Sequence, residues 1–334
     1  MNLNGKSILI TGGTGSLGKA LVKEIFISSP KIKRLVIFSR DEQKQFQMAQ
    51  IFSEVDYPAI RYFIGDIRDY ERLERAFQGI DYVIHAAAMK HVPIAEYNPE
   101  ECVKTNISGA QNIIKASLAV DSVKSVVALS TDKACSPINL YGATKLASDK
   151  LFVAANNITG SSDKRFSVVR YGNVMGSNGS VMPFFLKKIK DGNKLPITDD
   201  RMTRFNITLD EGVGMVLFAL EHCMGGEILV PKIPSYRILD VAKAISEDVE
   251  IEIIGIRPGE KLHEEMISHS DSFNTYFNER FYFILPTKTK WEIDKFKTKL
   301  NAKKVEEQFS YASNTNSNFL TVEELKLLIK QELG

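Results

Sequence analysis

Tyr141 and Lys145 are the two residues whose types and spacing point most directly to chemistry. Their neighbours Ala143, Leu146 and Ala147 favour a helix, and helical residues four apart share a face. A phenol has an ordinary pKa of ~10, and a neighbouring ammonium favours its phenolate form. The pair could therefore accept the proton of a hydroxyl group while hydride leaves the same carbon. A solvated helix face is the alternative reading of the two residues taken alone.

The segment before this helix supplies three more polar side chains. Residues 125–129 form an apolar, β-branched run that is typical of a buried strand, and Thr131, Asp132 and Lys133 follow it directly. Pro137 and Asn139 then mark a turn. The sequence thus predicts a strand, a turn and a helix that bring these three residues near Tyr141, although a surface ion pair would also explain Asp132 and Lys133.

A glycine-rich segment follows the first predicted strand, which covers residues 7–10. Glycines three residues apart let the backbone turn tightly, approach a pyrophosphate and pack the next helix on the sheet. The helix N-terminus directs free N–H groups at the anion. We therefore predict a dinucleotide site here rather than an ordinary strand-to-helix turn. Its candidate contacts are Thr11, Gly12, Thr14, Gly15, Ser16, Leu17 and Gly18.

The end of the second predicted strand, residues 34–38, indicates which dinucleotide is bound. An acidic residue at this point would hold a ribose diol and favour NAD, but here Ser39 and Arg40 come first and Lys44 lies one turn later. An arginine fork suits a 2′-phosphate. We therefore predict NADP as the cofactor, bound by Ser39, Arg40 and Lys44. The acidic Asp41 nearby keeps NAD as an alternative cofactor, and Arg40 could also be a plain surface charge.

Further cofactor contacts are predicted near the third and fourth strands. Asp66, followed by Ile67, could accept the adenine amino group or could cap the helix near residue 70. Small residues after the fourth strand would permit close approach of a cofactor. Asn106 lies in a helix predicted over residues 96–119, where it would brace the neighbouring strand or face solvent. The residues assigned to the cofactor here are Asp66, Ile67, Ala86, Ala87, Ala88 and Asn106.

Strands alternate with helices from residue 7 to about 170, which predicts the α/β class with a Rossmann-type, doubly wound parallel sheet. We predict an NADP-binding domain over residues 1–172, with possible later returns of the chain to it. Residues 173–285 would form a smaller, mostly helical C-terminal substrate lobe. Residues 286–334 form a tail to which the sequence assigns no role.

Composition excludes several classes of protein. With 43 basic and 41 acidic residues among 334, the net charge of +2 gives no reason to expect nucleic acid or an anionic membrane as a partner. Three widely separated cysteines argue against a disulfide scaffold or a zinc site, so we predict no metal. The first residues lack a signal-peptide pattern and no later run could span a bilayer. We therefore expect a cytoplasmic protein.

The glycine motif at 11–18, the alanines at 86–88 and the Tyr141–Lys145 spacing together resemble the extended short-chain dehydrogenase/reductases. Residues 87–93, 129–134 and 202–205 are similar to the nucleotide-sugar 4,6-dehydratases. Among these, the sequence most resembles the configuration-inverting UDP-N-acetylglucosamine 4,6-dehydratases of pseudaminic acid biosynthesis. The resemblance covers residues 1 to about 285.

The resemblance implies a catalytic role for each of five residues. Tyr141, assisted by Lys145 and Thr131, would remove the proton of the sugar C4 hydroxyl as hydride passes to NADP. Lys133 would then remove the C5 proton and Asp132 would protonate the departing C6 hydroxyl, after which hydride returns to C6. Burial and the cation of Lys145 are expected to keep Lys133 partly neutral. Having both Lys133 and Tyr141 favours inversion, because retaining relatives differ at one of these positions.

The resemblance also implies contacts to the substrate, UDP-N-acetylglucosamine. Arg204 and Arg257 would bind the diphosphate, since a guanidinium binds phosphate oxygens in pairs, and Glu260 would contact a ribose hydroxyl. The full predicted set is Lys90, Asn173, Ser177, Val181, Thr198, Arg204, Arg257 and Glu260. Relatives form oligomers, often hexamers, so we expect a homo-oligomer such as a hexamer. A retaining 4,6-dehydratase, a UDP-sugar epimerase and, more remotely, a non-enzymatic NADP-binding sensor remain open.

Overall fold

The computed structural model describes residues 1–176, 181–192, 194–246, 248–287 and 292–333. The predicted substrate contact Ser177 lies outside the described residues. The strands are β1 Ser7–Thr11, β2 Arg34–Ser39, β3 Ile60–Ile64, β4 Tyr82–His85, β5 Ser125–Thr131, β6 Arg165–Tyr171, β7 Asn173–Val174, β8 Leu195–Ile197, β9 Thr203–Ile207, β10 Ile228–Pro231, β11 Ser235–Arg237, β12 Ile251–Ile253, β13 Glu265–Ile267, β14 Thr275–Phe277, β15 Phe281–Ile284, β16 Lys303–Lys304 and β17 Tyr311–Ala312. The α-helices are α1 Ser16–Ser28, α2 Glu42–Ala49, α3 Tyr70–Phe77, α4 Val92–Tyr97, α5 Pro99–Val103, α6 Gly109–Ala119, α7 Leu140–Ala155, α8 Val181–Lys190, α9 Leu209–His222, α10 Ile238–Ile245, α11 His269–Ser272, α12 Ile293–Leu300 and α13 Val322–Leu333. A π-helical turn spans Lys104–Ser108 and a 3₁₀ turn spans Asp132–Ala134.

Within the described residues, ten strands form the central sheet, in the order β16-β14-β15-β10-β6-β5-β4-β1-β2-β3. The run from β10 to β3 is parallel, whereas β15, β14 and β16 are antiparallel. This arrangement confirms the predicted Rossmann-type fold. The strand order reverses around β1 and β4, and in open α/β sheets ligands bind at such a switch point, beyond the carboxyl ends of the strands.

The two faces of the sheet bury two apolar cores. Along β1, Leu9 packs into one core with the helices α3, α6 and α7, while Ile8 and Ile10 pack into the other with α1 and α9. This alternation follows from the two-residue period of a strand. All five residues of β1 are buried, as expected for a central parallel strand. Each large apolar side chain buried in this way contributes roughly 1.5–3 kcal/mol.

The chain returns to the sheet after residue 173. Helix α9 packs on α1, and β10, β14 and β15 extend the sheet beyond β6. The remaining segments form the lobe, in which α8 and α10 surround an apolar core beside short two- and three-stranded sheets. The tail joins both parts: β16 pairs with β14, β17 pairs with β13, and Leu325 of α13 is buried in the lobe core.

The helix predicted over residues 96–119 is divided. Helix α4 ends at Tyr97, and α5 begins at Pro99, which has no N–H to continue the earlier helix. The π-helical turn then leads into α6. In the described part of the chain, no helix combines the length and the apolar character needed to cross a membrane.

Candidate functional site

The predicted catalytic residues meet where β5 ends and α7 begins. Thr131 is the last residue of β5, and the 3₁₀ turn that follows it carries Asp132 and Lys133. Helix α7 starts after Asn139, whose side-chain oxygen accepts a hydrogen bond from the Gly142 N–H at 2.8 Å. This cap fixes the first turn of α7, on which Tyr141 lies.

Gly142 explains how closely the helix approaches the turn. A Cβ at this position would lie 2.2 Å from the main-chain oxygen of Lys133, a distance that no side chain could accept. The absence of a side chain therefore lets the first turn of α7 pack directly on the turn that carries Lys133. Tyr141 and Lys133 are brought together by this contact, as the sequence predicted.

Tyr141 is buried, and burial raises the pKa of its phenol to about 12. The positive charge of Lys133 and a hydrogen bond with Thr131 oppose this rise, while the charge of Asp132 adds to it. The cation that faces the phenol is therefore Lys133. The predicted support of Tyr141 by Lys145 stays a prediction.

Lys145 makes a different contact. Its ammonium donates a hydrogen bond to the main-chain oxygen of Leu129 at 2.7 Å. Burial lowers the pKa of Lys145, and the nearby carboxylate of Asp149 opposes that shift. Asp149 in turn accepts hydrogen bonds from Ser130 at 2.8 Å and from the buried guanidinium of Arg170 at 3.1 Å. Lys145 is thus held under the end of β5 by a buried polar network.

Lys133 lies between two buried carboxylates. Its Nζ is 3.1 Å from Oδ1 of Asp132 and 3.0 Å from Oε1 of Glu264. Burial lowers the pKa of Lys133, but the two carboxylates outweigh burial and the net shift is upward. The expectation of a partly neutral lysine is therefore wrong for the substrate-free state, because the two carboxylates favour its charged form. The cation that opposes this charge is Arg204 and not Lys145.

Glu264 is a site residue that the sequence did not reveal. No sequence motif marks Glu264. It lies far along the chain from Lys133, just before β13, so only the fold brings the two residues together. Arg204 belongs to the same cluster, with its Nε 4.0 Å from Oε1 of Glu264. The guanidinium of Arg204 is buried and donates to the main-chain oxygens of Thr203, Lys261 and Leu262. In the substrate-free protein these contacts use the guanidinium internally, and binding of the diphosphate by Arg204 stays a prediction.

The glycine-rich segment forms a tight loop between β1 and α1. Gly12 has a φ of +67°, and a Cβ there would lie 2.8 Å from the main chain of Ala87. At Gly18 a Cβ would lie 2.2 Å from the oxygen of Gly13. Among the described residues, no side chain caps the N-terminus of α1 at Gly15, and its first turn carries no acidic residue. The loop is therefore suited to the pyrophosphate of a dinucleotide.

Thr11 stabilises this loop from below. It is fully buried, and its hydroxyl lies 2.8 Å from Nδ1 of His85. The same hydroxyl accepts a hydrogen bond from the Ala87 N–H at 3.4 Å. Burial lowers the pKa of His85 to about 3, so the ring is neutral. Thr11 therefore positions the ends of β1 and β4, and a direct contact of Thr11 with the cofactor stays a prediction.

Strand β2 ends at Ser39, and the cationic side chain of Arg40 follows it. The Ser39 hydroxyl lies 3.2 Å from the Thr14 hydroxyl and links β2 to the glycine loop. Arg40 is exposed, with its guanidinium 3.6 Å from Asp66. Asp41 caps α2: it accepts a hydrogen bond from the Lys44 N–H at 2.9 Å and pairs with the Lys44 ammonium at 3.2 Å. The Asp41 carboxylate is thus occupied by its own helix.

Asn106 braces the site. Its side chain accepts from the Met89 N–H at 2.8 Å and donates to the Met89 oxygen at 2.9 Å and to the Thr144 hydroxyl at 3.0 Å. The bracing role is confirmed and a direct cofactor contact is not, because the amide is buried and fully used. Asp66 accepts hydrogen bonds from Arg68, and Asp69 caps α3, so the predicted cap at Asp66 is wrong.

Two predicted substrate contacts line a small cavity where β7 enters the lobe. Asn173 and Val181 border it together with Asn206 and Tyr236. Within the described residues, the side-chain oxygens of Asn173 and Asn206 are buried without a hydrogen-bond partner. Tyr236 is close enough for the charges of Arg204, Lys133, Asp132 and Glu264 to act on its phenol. The cavity is therefore adjacent to the charged cluster.

The remaining predicted substrate residues surround the same region. Thr198 is buried, and its hydroxyl lies 3.3 Å from the sulfur of Met202. Glu260 lies on the turn after Arg257, with its carboxylate 3.9 Å from Arg204. Arg257 and Lys90 are exposed. Ile67 is buried, whereas Ala86, Ala87 and Ala88 are partly exposed or exposed at the end of β4.

Comparison with known proteins identifies the family. Residues 8–286 match the family described as polysaccharide biosynthesis protein. The chain is 56% identical to UDP-N-acetylglucosamine 4,6-dehydratase (inverting) from Campylobacter jejuni subsp. jejuni serotype O:2, with 99% of each chain covered. It is 43% identical to a UDP-glucose 4-epimerase from Rickettsia canadensis, covering 80% of this chain and 79% of the epimerase. The X-ray structure of Pen from Bacillus thuringiensis is 40% identical, with a TM-score of 0.89 and 99% of each chain covered. The chain therefore belongs to the polysaccharide biosynthesis protein family.

Proposed function

We propose that this protein is an NADP-dependent, configuration-inverting UDP-N-acetylglucosamine 4,6-dehydratase. The observation that carries the proposal is the lysine of the 3₁₀ turn, which lies between an aspartate and a buried glutamate and faces the phenol of Tyr141. One pocket thus holds a proton acceptor for a hydroxyl and an acid–base pair for the neighbouring carbons. The full-length relative at 56% identity carries the name of this activity.

The glycine loop would hold the pyrophosphate of the dinucleotide, whose nicotinamide would supply hydride chemistry at C4 and C6 of the sugar. The phenolate of Tyr141 would take the proton of the C4 hydroxyl. The Lys133 charge and the Thr131 hydrogen bond favour this phenolate, because both lower the pKa of Tyr141. Lys145, anchored to the main chain of Leu129, would place a second cation beneath the reacting atoms. Oxidation at C4 makes the C5 proton acidic.

The next steps need a neutral amine and a protonated carboxyl. Moving one proton from Nζ of Lys133 to Oδ1 of Asp132, 3.1 Å away, would produce both at once. Lys133 would then form an N–H bond with the C5 proton, and Asp132 would give its proton to the C6 oxygen, which leaves as water. The overall reaction is the loss of one water molecule, so no external oxidant is consumed. Protonation of the opposite face of C5 by water would invert the configuration, and the proton that Tyr141 took from the C4 hydroxyl would then neutralise the hydroxide and restore the starting charges.

Preference for NADP is supported by the residues at the end of β2. Asp41 is occupied by the N-terminus of α2, so its carboxylate is poorly placed to take the ribose diol that marks NAD enzymes. Arg40 is exposed beside it and could bind a 2′-phosphate with its guanidinium fork. Asp66, Ile67 and the alanines at 86–88 stay predicted contacts of the cofactor.

The predicted substrate contacts that the structure leaves accessible are Lys90 and Arg257, with Asn173, Val181, Thr198 and Glu260 around the adjoining cavity. Arg257 remains the candidate ligand of the diphosphate. Homo-oligomer formation, a cytoplasmic location and a place in pseudaminic acid synthesis remain part of the proposal.

The test is to incubate the purified protein with UDP-N-acetylglucosamine and record proton NMR spectra of the product. A C6 methyl signal with inverted configuration at C5 is expected. An unchanged C6 hydroxymethyl group would refute dehydration and favour the epimerase reading, for which the epimerase relative is the specific observation. A methyl product with retained configuration at C5 would refute inversion.

A further inference from the structure

Glu264 places a buried negative charge beside Lys133, and none of the proposed reaction steps involves this carboxylate. Its side chain is 2% exposed, and the Asp132 side chain is 1% exposed, so Lys133 is held between two carboxylates that have almost no contact with solvent. In the described part of the chain, one oxygen of each carboxylate, Oε2 of Glu264 and Oδ2 of Asp132, is buried without a hydrogen-bond partner. An unpaired buried carboxylate is costly, so both groups depend on Lys133 for their stability.

The tail of the chain fixes the main chain of Glu264. The Glu264 N–H donates to the Ser313 hydroxyl at 2.9 Å, and the Ser313 N–H donates to the main-chain oxygen of Glu264 at 2.7 Å. The Ser313 hydroxyl also lies 2.7 Å from the hydroxyl of Thr203, the residue before Arg204. Ser313 follows β17, which pairs with β13, so the tail locks the segment that carries Glu264. This gives a structural role to a region that carries no sequence motif.

We propose that Glu264 is a positioning residue that holds Lys133 as an ammonium in the substrate-free enzyme and thereby controls how readily Lys133 gives up its proton to become a base. The inference rests on the proposed function, in which Lys133 takes the C5 proton. The titratable groups facing Lys133 are Asp132 on its own turn, Glu264 and Arg204 from the lobe, Tyr141 on α7, and Tyr236.

The charge balance of this cluster explains why Glu264 matters. Asp132 and Glu264 both favour the charged lysine, whereas Arg204, at 4.0 Å from Glu264, opposes it. Replacing Glu264 by glutamine would keep the shape of the side chain and remove one of the two favouring charges. An opposite charge within a few ångströms shifts a pKa by about 1–3 units, so the neutral fraction of Lys133 should rise by at least about tenfold.

The test measures the amine directly and does not depend on turnover. Trace acetylation with acetic anhydride at about pH 9, read by peptide mass spectrometry, gives the rate at which Lys133 is labelled relative to the exposed Lys124 in the same protein. Only the neutral amine reacts, so the rate follows the neutral fraction. Glu264→Gln is expected to accelerate labelling of Lys133 about tenfold or more.

Matched controls separate charge from loosened packing. Glu265→Gln removes the neighbouring carboxylate, which bonds with Ser136 at 2.9 Å and not with Lys133, and should leave the rate unchanged. Glu264→Asp keeps the charge and should label more slowly than Glu264→Gln. Should Glu264→Gln fail to fold, Ser313→Ala loosens the same clamp and is expected to accelerate labelling to a smaller degree.

An unchanged labelling rate in Glu264→Gln, or equal acceleration in Glu264→Asp and Glu264→Gln, would overturn the proposal. A protein that does not dehydrate UDP-N-acetylglucosamine would refute the proposed function, yet the labelling rates would still decide the role of Glu264. The two failures are therefore distinguishable.

Discussion

Replacing Lys133 by alanine should affect both turnover and stability, and the structure gives the size of each effect. Loss of a positioned base typically lowers kcat by about 10²–10⁴-fold. The variant would also leave Asp132 and Glu264 buried without the ammonium that now lies 3.1 and 3.0 Å from them. Removing one partner of a buried ion pair costs about 3–5 kcal/mol.

Two features reduce that cost. The Lys133 side chain is 26% exposed, so water screens it in part, and Arg204 lies 4.0 Å from Glu264 and offsets some of the lost charge. We therefore expect Lys133→Ala to lower the free energy of unfolding by about 2–3 kcal/mol near neutral pH. Lys124→Ala is the matched control, because Lys124 forms an exposed pair with Asp81 at 3.6 Å, and such pairs contribute about 0–1 kcal/mol.

The stability deficit should depend on pH. In Lys133→Ala the two buried carboxylates lose the ammonium nearest to them, so a proton that neutralises one of them relieves the folded protein. This relief is present at low pH and is lost as the pH rises. The deficit of Lys133→Ala should therefore be small at about pH 4 and complete at about pH 8.

Urea unfolding at both pH values measures this, with product formation followed in parallel. Unchanged turnover would remove Lys133 as the base. A deficit no larger than that of Lys124→Ala, or one that does not grow with pH, would refute the reasoning about the buried charges.

Three further predictions concern the phenol, the glycine loop and the cofactor. Because burial raises the pKa of Tyr141 to about 12, kcat/KM should rise with pH between about 7 and 9, and a flat profile would argue against a phenolate base. Gly18→Ala should abolish dinucleotide binding measured by calorimetry, because its Cβ would lie 2.2 Å from the main-chain oxygen of Gly13. The control Gly214→Ala has open space around its Cβ, so it should bind the dinucleotide normally and unfold at a slightly higher temperature. Arg40→Ala should lose affinity for NADP by about tenfold or more while affinity for NAD changes little, and equal losses for both would contradict the assignment of the 2′-phosphate.

Local patterns predicted the parts of the site that follow one another along the chain. The strand, glycine loop and helix at residues 7–28 were readable because each step has its own short-range requirement, such as the positive φ at Gly12. The same holds for Tyr141, which the cap at Asn139 and the close contact at Gly142 set beside the turn of Lys133.

The electrostatic partners were not readable in this way. Glu264 reaches Lys133 only after the chain has built the lobe and returned toward the sheet, so no spacing in the sequence marks it. The glycine motif predicts Thr11 as a cofactor contact and the family resemblance predicts Arg204 as a diphosphate ligand, but in the substrate-free protein the polar atoms of both residues form internal hydrogen bonds. The charge of Lys133 acting on Tyr141 likewise becomes visible only in the folded chain.

The central claim is that a single pocket transfers hydride from C4 of the sugar and returns it to C6. The most direct test uses UDP-N-acetylglucosamine carrying deuterium at C4, with mass spectrometry and NMR of the product. Internal return predicts that the deuterium is found in the C6 methyl group as CH₂D, without added cofactor. A product whose methyl group carries no deuterium would contradict this account.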